Sequence, residues 1–247
     1  MYGPDGPTLR ELAVQALSSV EHGYDLLAPK FDHTPFRTSD SILESVARAL
    51  APAGPFEDGL DLCCGTGAGT EVLTGLCRNS VTGVDFSAGM LDVARRRVRP
   101  GAGPAIAWVR GDARALPFTA AFDLVVSFGA FGHFLPRELP TLFRQVHAAL
   151  RPGGRFAFPV LAPPRPTHPA YWTLLGFDAV MRVRNALWRP PFVMYYRAFR
   201  LGVVLEELGR AGFAVELSAL PGYGRRDDGS PRARLVVARR LSPPPAA

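Results

Sequence analysis

Apolar residues along this chain follow two rhythms. Between residues 60 and 160 they gather in short runs, at 60–64, 81–84, 105–109, 122–127 and 155–160. The runs are largely continuous in apolar residues, as expected of strands covered by helices on both faces. Between the runs the spacing changes to three and four, and helices are predicted near 69–78, 87–99 and 138–150. Ser87 stands where an N-cap belongs. Strands alternating with helices imply right-handed crossovers and an open parallel sheet. Later, a helix over 201–211 stops at Gly212, and strands over 213–220 and 234–238 flank a Pro/Gly/Asp-rich turn. Ahead of the sheet, Thr8-Leu9-Arg10-Glu11 matches a capping box and predicts a helix to about Val20. Ser41-Ile42-Leu43-Glu44 matches a second, with Ile42, Leu43, Val46 and Leu50 on one face. Residues 24–32 read as a proline-interrupted connector with exposed aromatics, and 51–59 as a loop.

The 47% hydrophobic content is ordinary for a globular chain, and 247 residues suffice for one domain. No apolar run reaches the length of a spanning helix, and the first residues lack the basic and apolar segments of a signal peptide. Cys63, Cys64 and Cys77 are three in number, and two adjoin on a strand. That pattern suits buried thiols in a reducing compartment, so a cytoplasmic location is expected. The five histidines are scattered without metal-ligand spacing, and no metal is expected. The formal charge is +6, and Lys30 is the only lysine. Residues 137–200 hold ten arginines against Glu138 and Asp178, which raises the prospect of an acidic or membrane-surface partner.

Candidate chemistry begins at the end of the first run. Gly65, Gly67 and Gly69 form a glycine loop between a strand and a helix, where backbone can approach a ligand closely. The second run ends in Asp85, a carboxylate placed to accept both hydroxyls of a ribose. A nicotinamide loop has G-x-x-G after its first G-x, whereas here the third glycine falls one residue early. A tight strand-to-helix turn without a ligand is the plainer alternative.

Four blocks in this order resemble class I S-adenosylmethionine-dependent methyltransferases of the ubiquinone/menaquinone-biosynthesis type. They are residues 60–70, 81–91 (VTGVDFSAGML), 111–118 (GDARALPF) and 150–158 (LRPGGRFAF). The resemblance implies an α/β fold, a Rossmann-like doubly wound seven-stranded sheet with an antiparallel last strand. It also implies N-terminal helices and a helical lid after strand five. The single domain would then comprise a helical cap (1–55), a cofactor-binding core (56–158), a lid or acceptor insertion (159–200), the last helix and strands (201–240) and a disordered tail (241–247). S-adenosyl-L-methionine is the cofactor implied, leaving as S-adenosyl-L-homocysteine. Asp61, Gly65, Thr66 and Gly67 fall on the loop that holds its methionine part, and Asp85 with Phe86 on the ribose-binding position. Asp112 and Ala113 fall at the adenine, and Ser127 and Phe128 at the amino group and acceptor. Cys63 replaces a common glycine, and narrows the pocket if its side chain faces the cofactor.

The acceptor side is less defined. His133, after the fourth strand, is the candidate general base, with packing against Phe134 or capping as the plainer role. Tyr195, Tyr196 and Trp172 are candidates for the acceptor pocket, or else lid core. After the fourth strand the chain reads Ser127-Phe128-Gly129-Ala130, which lacks both an amino-methylating N/D-P-P-Y/F block and a cysteine nucleophile. Nucleic acid is therefore disfavoured and a small or lipophilic acceptor expected, with peripheral membrane contact an open possibility. A nucleic-acid methyltransferase, a nicotinamide oxidoreductase and a non-catalytic cofactor-binding relative stay as alternatives.

Overall fold

Seven strands lie in the order β3-β2-β1-β4-β5-β7-β6. The computed structural model describes residues 6–34, 36–195 and 200–241. The strands are β1 (Phe56–Leu62), β2 (Cys77–Asp85), β3 (Ala105–Arg110), β4 (Phe122–Val126), β5 (Leu150–Leu161), β6 (Phe213–Ala219) and β7 (Ala233–Arg240). β1 to β5 pair in parallel, and β7 runs antiparallel to both β5 and β6. The fold is thus the Rossmann-like sheet expected, with its reversed last strand. Helices α1 (Leu9–Leu17), α2 (Val20–Leu27), α3 (Asp40–Leu50), α4 (Ala68–Thr74), α5 (Ala88–Arg97), α6 (Leu139–Ala149), α7 (Pro169–Leu187) and α8 (Leu201–Arg210) complete it.

The two-residue period of the strands divides the core between the two faces of the sheet. Leu60, Leu62, Val125, Phe156 and Phe158 meet Leu142, Phe143 and Val146 of α6 and Val204 and Leu208 of α8. Leu124, Val126, Ala157 and Leu235 point the other way, onto Val46 and Leu50 of α3 and Leu73 of α4.

Several boundaries differ from the sequence expectation, each for a local reason. The first helix stops at Leu17 and not near Val20. The Ser18 hydroxyl turns back to the Val14 carbonyl (2.8 Å), and the Ser19 hydroxyl caps α2 by accepting from His22 N (3.1 Å). The expected connector 24–32 is therefore mostly helical, for α2 passes into a 3-10 turn over Ala28–His33 with Pro29 in its first turn. The second capping box does not form. α3 begins after Ser39, whose side chain makes no capping bond, and Ser41 instead bonds the Ser39 hydroxyl (3.0 Å) and the Tyr223 hydroxyl (2.8 Å). β1 and β2 start early, at Phe56 and Cys77, because polar side chains at their amino ends are satisfied by one another. Asp58 accepts from Asn79 Nδ2 (2.7 Å), Ser80 Oγ (2.5 Å) and Arg151 Nη2 (2.9 Å).

Candidate functional site

At the carboxyl ends of β1 to β4 the structure holds a cavity of about 540 Å³. β1 sits there between β2 and β4, where the chain's winding direction reverses, the usual ligand position in such sheets. Gly65 of the glycine loop, Asp85 and Phe86 after β2, Asp112 and Ala113 after β3, and Phe128 after β4 all line it.

Gly65 and Gly67 adopt φ of +52° and +88°, a region closed to most side chains. Their surroundings differ. A Cβ on Gly65 would meet only Phe31, at 4.0 Å, so its backbone opens on the cavity. A Cβ on Gly67 would strike Val98, Trp108 and Ala94 at 3.0–3.2 Å, so this glycine lets the loop pack on α5 and β3. Cys63, at φ +59°, borders the cavity and also packs against the core cluster that includes Leu60, Leu62 and Val84. Burial and the neighbouring Asp85 push its thiol well above the ordinary range, so it stays protonated.

Two buried carboxylates stand behind this loop with different tasks. Asp85 Oδ2 accepts from Gly65 N and its Oδ1 from Ser87 N, both at 2.9 Å. A carboxylate offers about four acceptor positions. These two bonds fix its plane and leave capacity on the cavity side. Burial pushes Asp85 up to about 6, against the pull of the backbone donors. Asp61 does not line the cavity. It is buried under α4, where Thr70 Oγ1 donates to it at 2.9 Å, and burial pushes it up to about 7. A Cβ at Gly69 would lie 2.7 Å from its oxygen, so Asp61 supports the loop from behind. Thr66 is likewise turned away, donating to Asp32 Oδ1 at 2.6 Å.

At the end of β3, Asp112 is held by its own neighbour. Arg114 donates to both its carboxylate oxygens, from Nε at 2.9 and 3.1 Å and from Nη2 at 2.7 Å, and also pairs with Glu138. These bonds keep Asp112 below the usual carboxylate range. Ala113 is buried in the lining beside it. Ser127 is buried outside the cavity, its hydroxyl donating to the Leu62 carbonyl (2.8 Å) and so tying β4 to β1.

Much of the remaining lining is aromatic. Tyr24, Phe31, Phe36, Phe128, Phe134 and Val193 contribute to it, together with His133. His133 is half-buried between two fixed partners. Its Nδ1 lies 2.7 Å from the Val193 carbonyl, which can only accept, so Nδ1 carries the proton. Nε2 is then the acceptor, and the Tyr24 hydroxyl donates to it at 2.7 Å. Burial holds the imidazole below its ordinary value, against the carbonyl's pull, and so neutral near pH 7.

Two acceptor-pocket candidates lie elsewhere. Trp172 is on the outside of α7, its indole N–H donating to the Pro166 carbonyl (2.9 Å). Tyr195 is buried behind the wall, accepting from Asn185 Nδ2 (2.8 Å) with the Arg182 guanidinium over its ring. Tyr196 lies outside the described residues.

Residues that pattern reading passed over come from the N-terminal segment. Asp25 Oδ1 accepts from Ser87 Oγ (2.6 Å) and Gly89 N (2.9 Å), and Asp32 from Thr66 and from Arg97 (3.3 Å). These two carboxylates clamp the loops after β2 and β1, while Tyr24 and Phe31 enter the cavity between them. The available signal was an acid and an aromatic recurring near one another in 24–32 on a helical face.

The chain is similar to known methyltransferases. A methyltransferase-domain family model matches residues 60–154. The 2-phytyl-1,4-naphtoquinone methyltransferase of Synechococcus elongatus is 33% identical over 152 residues, 59% of this chain and 65% of that protein. The chain therefore spans just under two thirds of that relative's length. The protein of the same description from Nostoc punctiforme is 33% identical over 171 residues, 63% of this chain and 71% of the other. Among solved structures, the DhpI–SAH complex superposes with a TM-score of 0.65 at 19% identity, covering 96% of this chain and 100% of that one. At that identity the likeness is one of fold.

Proposed function

This chain belongs to the class I S-adenosylmethionine-dependent methyltransferases, and on that premise we propose that its cavity holds S-adenosyl-L-methionine beside a small lipophilic acceptor. Bound there, the cofactor supplies a methyl group on a cationic sulfur, whose departure as a neutral thioether requires no metal. Asp85 takes the ribose diol on its remaining acceptor positions. Gly65 gives the methionine part a close backbone wall, and Phe86, Met90 and Ala113 form the apolar slot for adenine, with Asp112 at its rim. Asp61, Thr66 and Gly67 act one step back, by holding the loop that presents Gly65. Ser127 holds the end of β4, from which Phe128 reaches the boundary between cofactor and acceptor. S-adenosyl-L-homocysteine is the product released.

The acceptor occupies the aromatic end. The relatives named for naphthoquinones make a reduced quinone the first class to test. His133 serves as base only through Tyr24, because Nε2 already accepts the Tyr24 hydroxyl. An acceptor O–H donates to Tyr24 Oη while the Tyr24 proton passes to His133 Nε2. The resulting imidazolium keeps its Nδ1–H on the Val193 carbonyl. With the acceptor hydroxyl deprotonated, its electron pair would form the bond to the methyl carbon as the S–CH3 bond breaks, the sulfur leaving as a neutral thioether, aided by the positioning of the two partners.

The observation that carries this reading is the single cavity that joins Asp85 and Gly65 to the Tyr24–His133 pair. Thermal unfolding with S-adenosylhomocysteine tests it. A ligand at 100 times its Kd stabilises by about 2.7 kcal/mol, a rise of roughly 5–10 °C for a chain of this size. That rise is expected for the wild type, is lost in Asp85→Ala, and is absent with NAD. Stabilisation by NAD alone would refute the proposal.

A further inference from the structure

One face of α7 is apolar and open to solvent. Trp172, Val180, Val183, Leu187 and the following Trp188 are 60%, 66%, 59%, 81% and 53% exposed. With Leu175, Gly176 and Ala179 they recur at spacings of three and four, so they form one stripe along the 19-residue helix. The opposite face is occupied, since Met181 packs with Phe192 and Met194 and its neighbour Phe177 joins them. The stripe is therefore a second apolar face, which no other described residues cover. Monomeric proteins rarely leave a contiguous surface of this kind uncovered.

The charges around the stripe say what covers it. α7 exposes no carboxylate, because its acidic residue, Asp178, is buried. Arg189 is exposed just beyond its C-terminal end, Arg182 is exposed at its flank with the guanidinium over the Tyr195 ring, and Arg184 turns inward to the Ser18 carbonyl at 3.0 Å. The exposed rim is thus apolar and cationic. Pairing this face with a second copy of itself would set these arginines against their own kind with no exposed acid on α7 to intervene, the exposed Asp227 and Asp228 being paired with Arg165 beyond its other end. A bilayer with anionic headgroups satisfies both features, apolar side chains entering the acyl boundary and arginines meeting phosphates. Tryptophans at both ends of the stripe suit the headgroup level. No described helix is long and apolar enough to cross a membrane, so α7 would lie along the surface.

We propose that the outer face of α7 docks the protein on an anionic lipid surface. The chain leaving α7 continues directly into the cavity wall through Pro191 and Val193. Docking therefore brings the aromatic end of the cavity close to where a lipophilic acceptor dissolves. The docking itself is independent of methyl transfer, and its test does not use activity.

The test is co-flotation of the full chain with vesicles of phosphatidylcholine alone or mixed with phosphatidylglycerol, with tryptophan emission recorded on the same samples. The wild type is expected to float with the mixed vesicles several-fold more than with the neutral ones, with emission shifted to the blue. Val183→Glu/Leu187→Glu, at exposed positions and with unchanged unfolding temperature, should lose flotation and shift together. Arg189→Gln should lose mainly the preference for anionic lipid. Absence of wild-type flotation, or undiminished flotation of the double variant, overturns the proposal. So does a wild-type dimer that the double variant converts to monomer, which would assign the face to a second copy.

Discussion

At the scale of single residues, the site turns on which nitrogen of His133 holds its proton. The Val193 carbonyl fixes that proton on Nδ1, and Nε2 is filled by Tyr24. His133 therefore has no vacant nitrogen for an acceptor, and Tyr24 is the group that touches it. Tyr24→Phe should then lower kcat by about 10²–10⁴-fold, the span of general acid–base catalysis, with the Kd for S-adenosylhomocysteine unchanged. His133→Ala should do the same and abolish the acid limb of the pH–rate profile. That limb is expected below the ordinary histidine value, because burial holds the imidazole neutral. Equal kcat in Tyr24→Phe would remove the relay. Sequence made half of this legible. Asp85 and Gly65 announce themselves by standing at the ends of apolar runs, and the structure lines the cavity with both. Tyr24 lies 109 residues from His133, and nothing local to either marks their meeting.

At the scale of elements, the sheet was readable and the N-terminal segment was not. Strands such as 81–84 and 122–126 are apolar on both faces, so their pattern states their burial directly. The helix pair α1–α2 depends on Ser18 and Ser19 using their hydroxyls in opposite directions, which composition alone does not reveal. The early starts of β1 and β2 depend on polar side chains paired across strands, which read from sequence as loop. What α2 and the turn after it do is hold the site: Asp25 binds the start of α5 and Asp32 the glycine loop. Asp25→Ala leaves the Ser87 hydroxyl and the Gly89 N–H without their acceptor. An unsatisfied buried group costs about 1–3 kcal/mol, and for this size each kcal/mol lowers the unfolding temperature by roughly 2–4 °C. Because Ser87 N also orients Asp85, affinity for S-adenosylhomocysteine should fall with stability. Asp25→Asn retains an acceptor oxygen and should recover part of both. Full affinity in Asp25→Ala would show that the clamp has no bearing on the site.

Across the whole molecule, the two ends of the sheet respond to pH with opposite sign. At the amino ends, burial alone would raise Asp58, but Ser80, Arg151 and Asn79 together hold it below its ordinary value. Its ionised form therefore stabilises the fold above the unfolded carboxyl value of about 4, and that contribution is lost as pH falls further. At the carboxyl ends, burial raises Asp61 to about 7 and Asp85 to about 6. Between about pH 4 and these values the folded state binds more protons than the unfolded one. Stability from these two groups thus declines as pH rises through that window. The end that anchors the strands is at its strongest where the end that builds the site is under electrostatic cost. Such division is expected when a fold holds a buried carboxylate ready for a ligand. Unfolding followed from pH 3 to 8 in two variants separates the two ends. Asp58→Asn should be less stable than wild type at pH 7 by about 1.5–3 kcal/mol, as for lost bonds to a charged group, with the deficit shrinking below pH 4. Asp61→Asn keeps an acceptor for Thr70 and removes the buried charge. It should match wild type near pH 4 and exceed it increasingly up to pH 8. Parallel curves for Asp61→Asn and wild type would mean that Asp61 ionises without cost, and that the loop is more open to water than its burial implies.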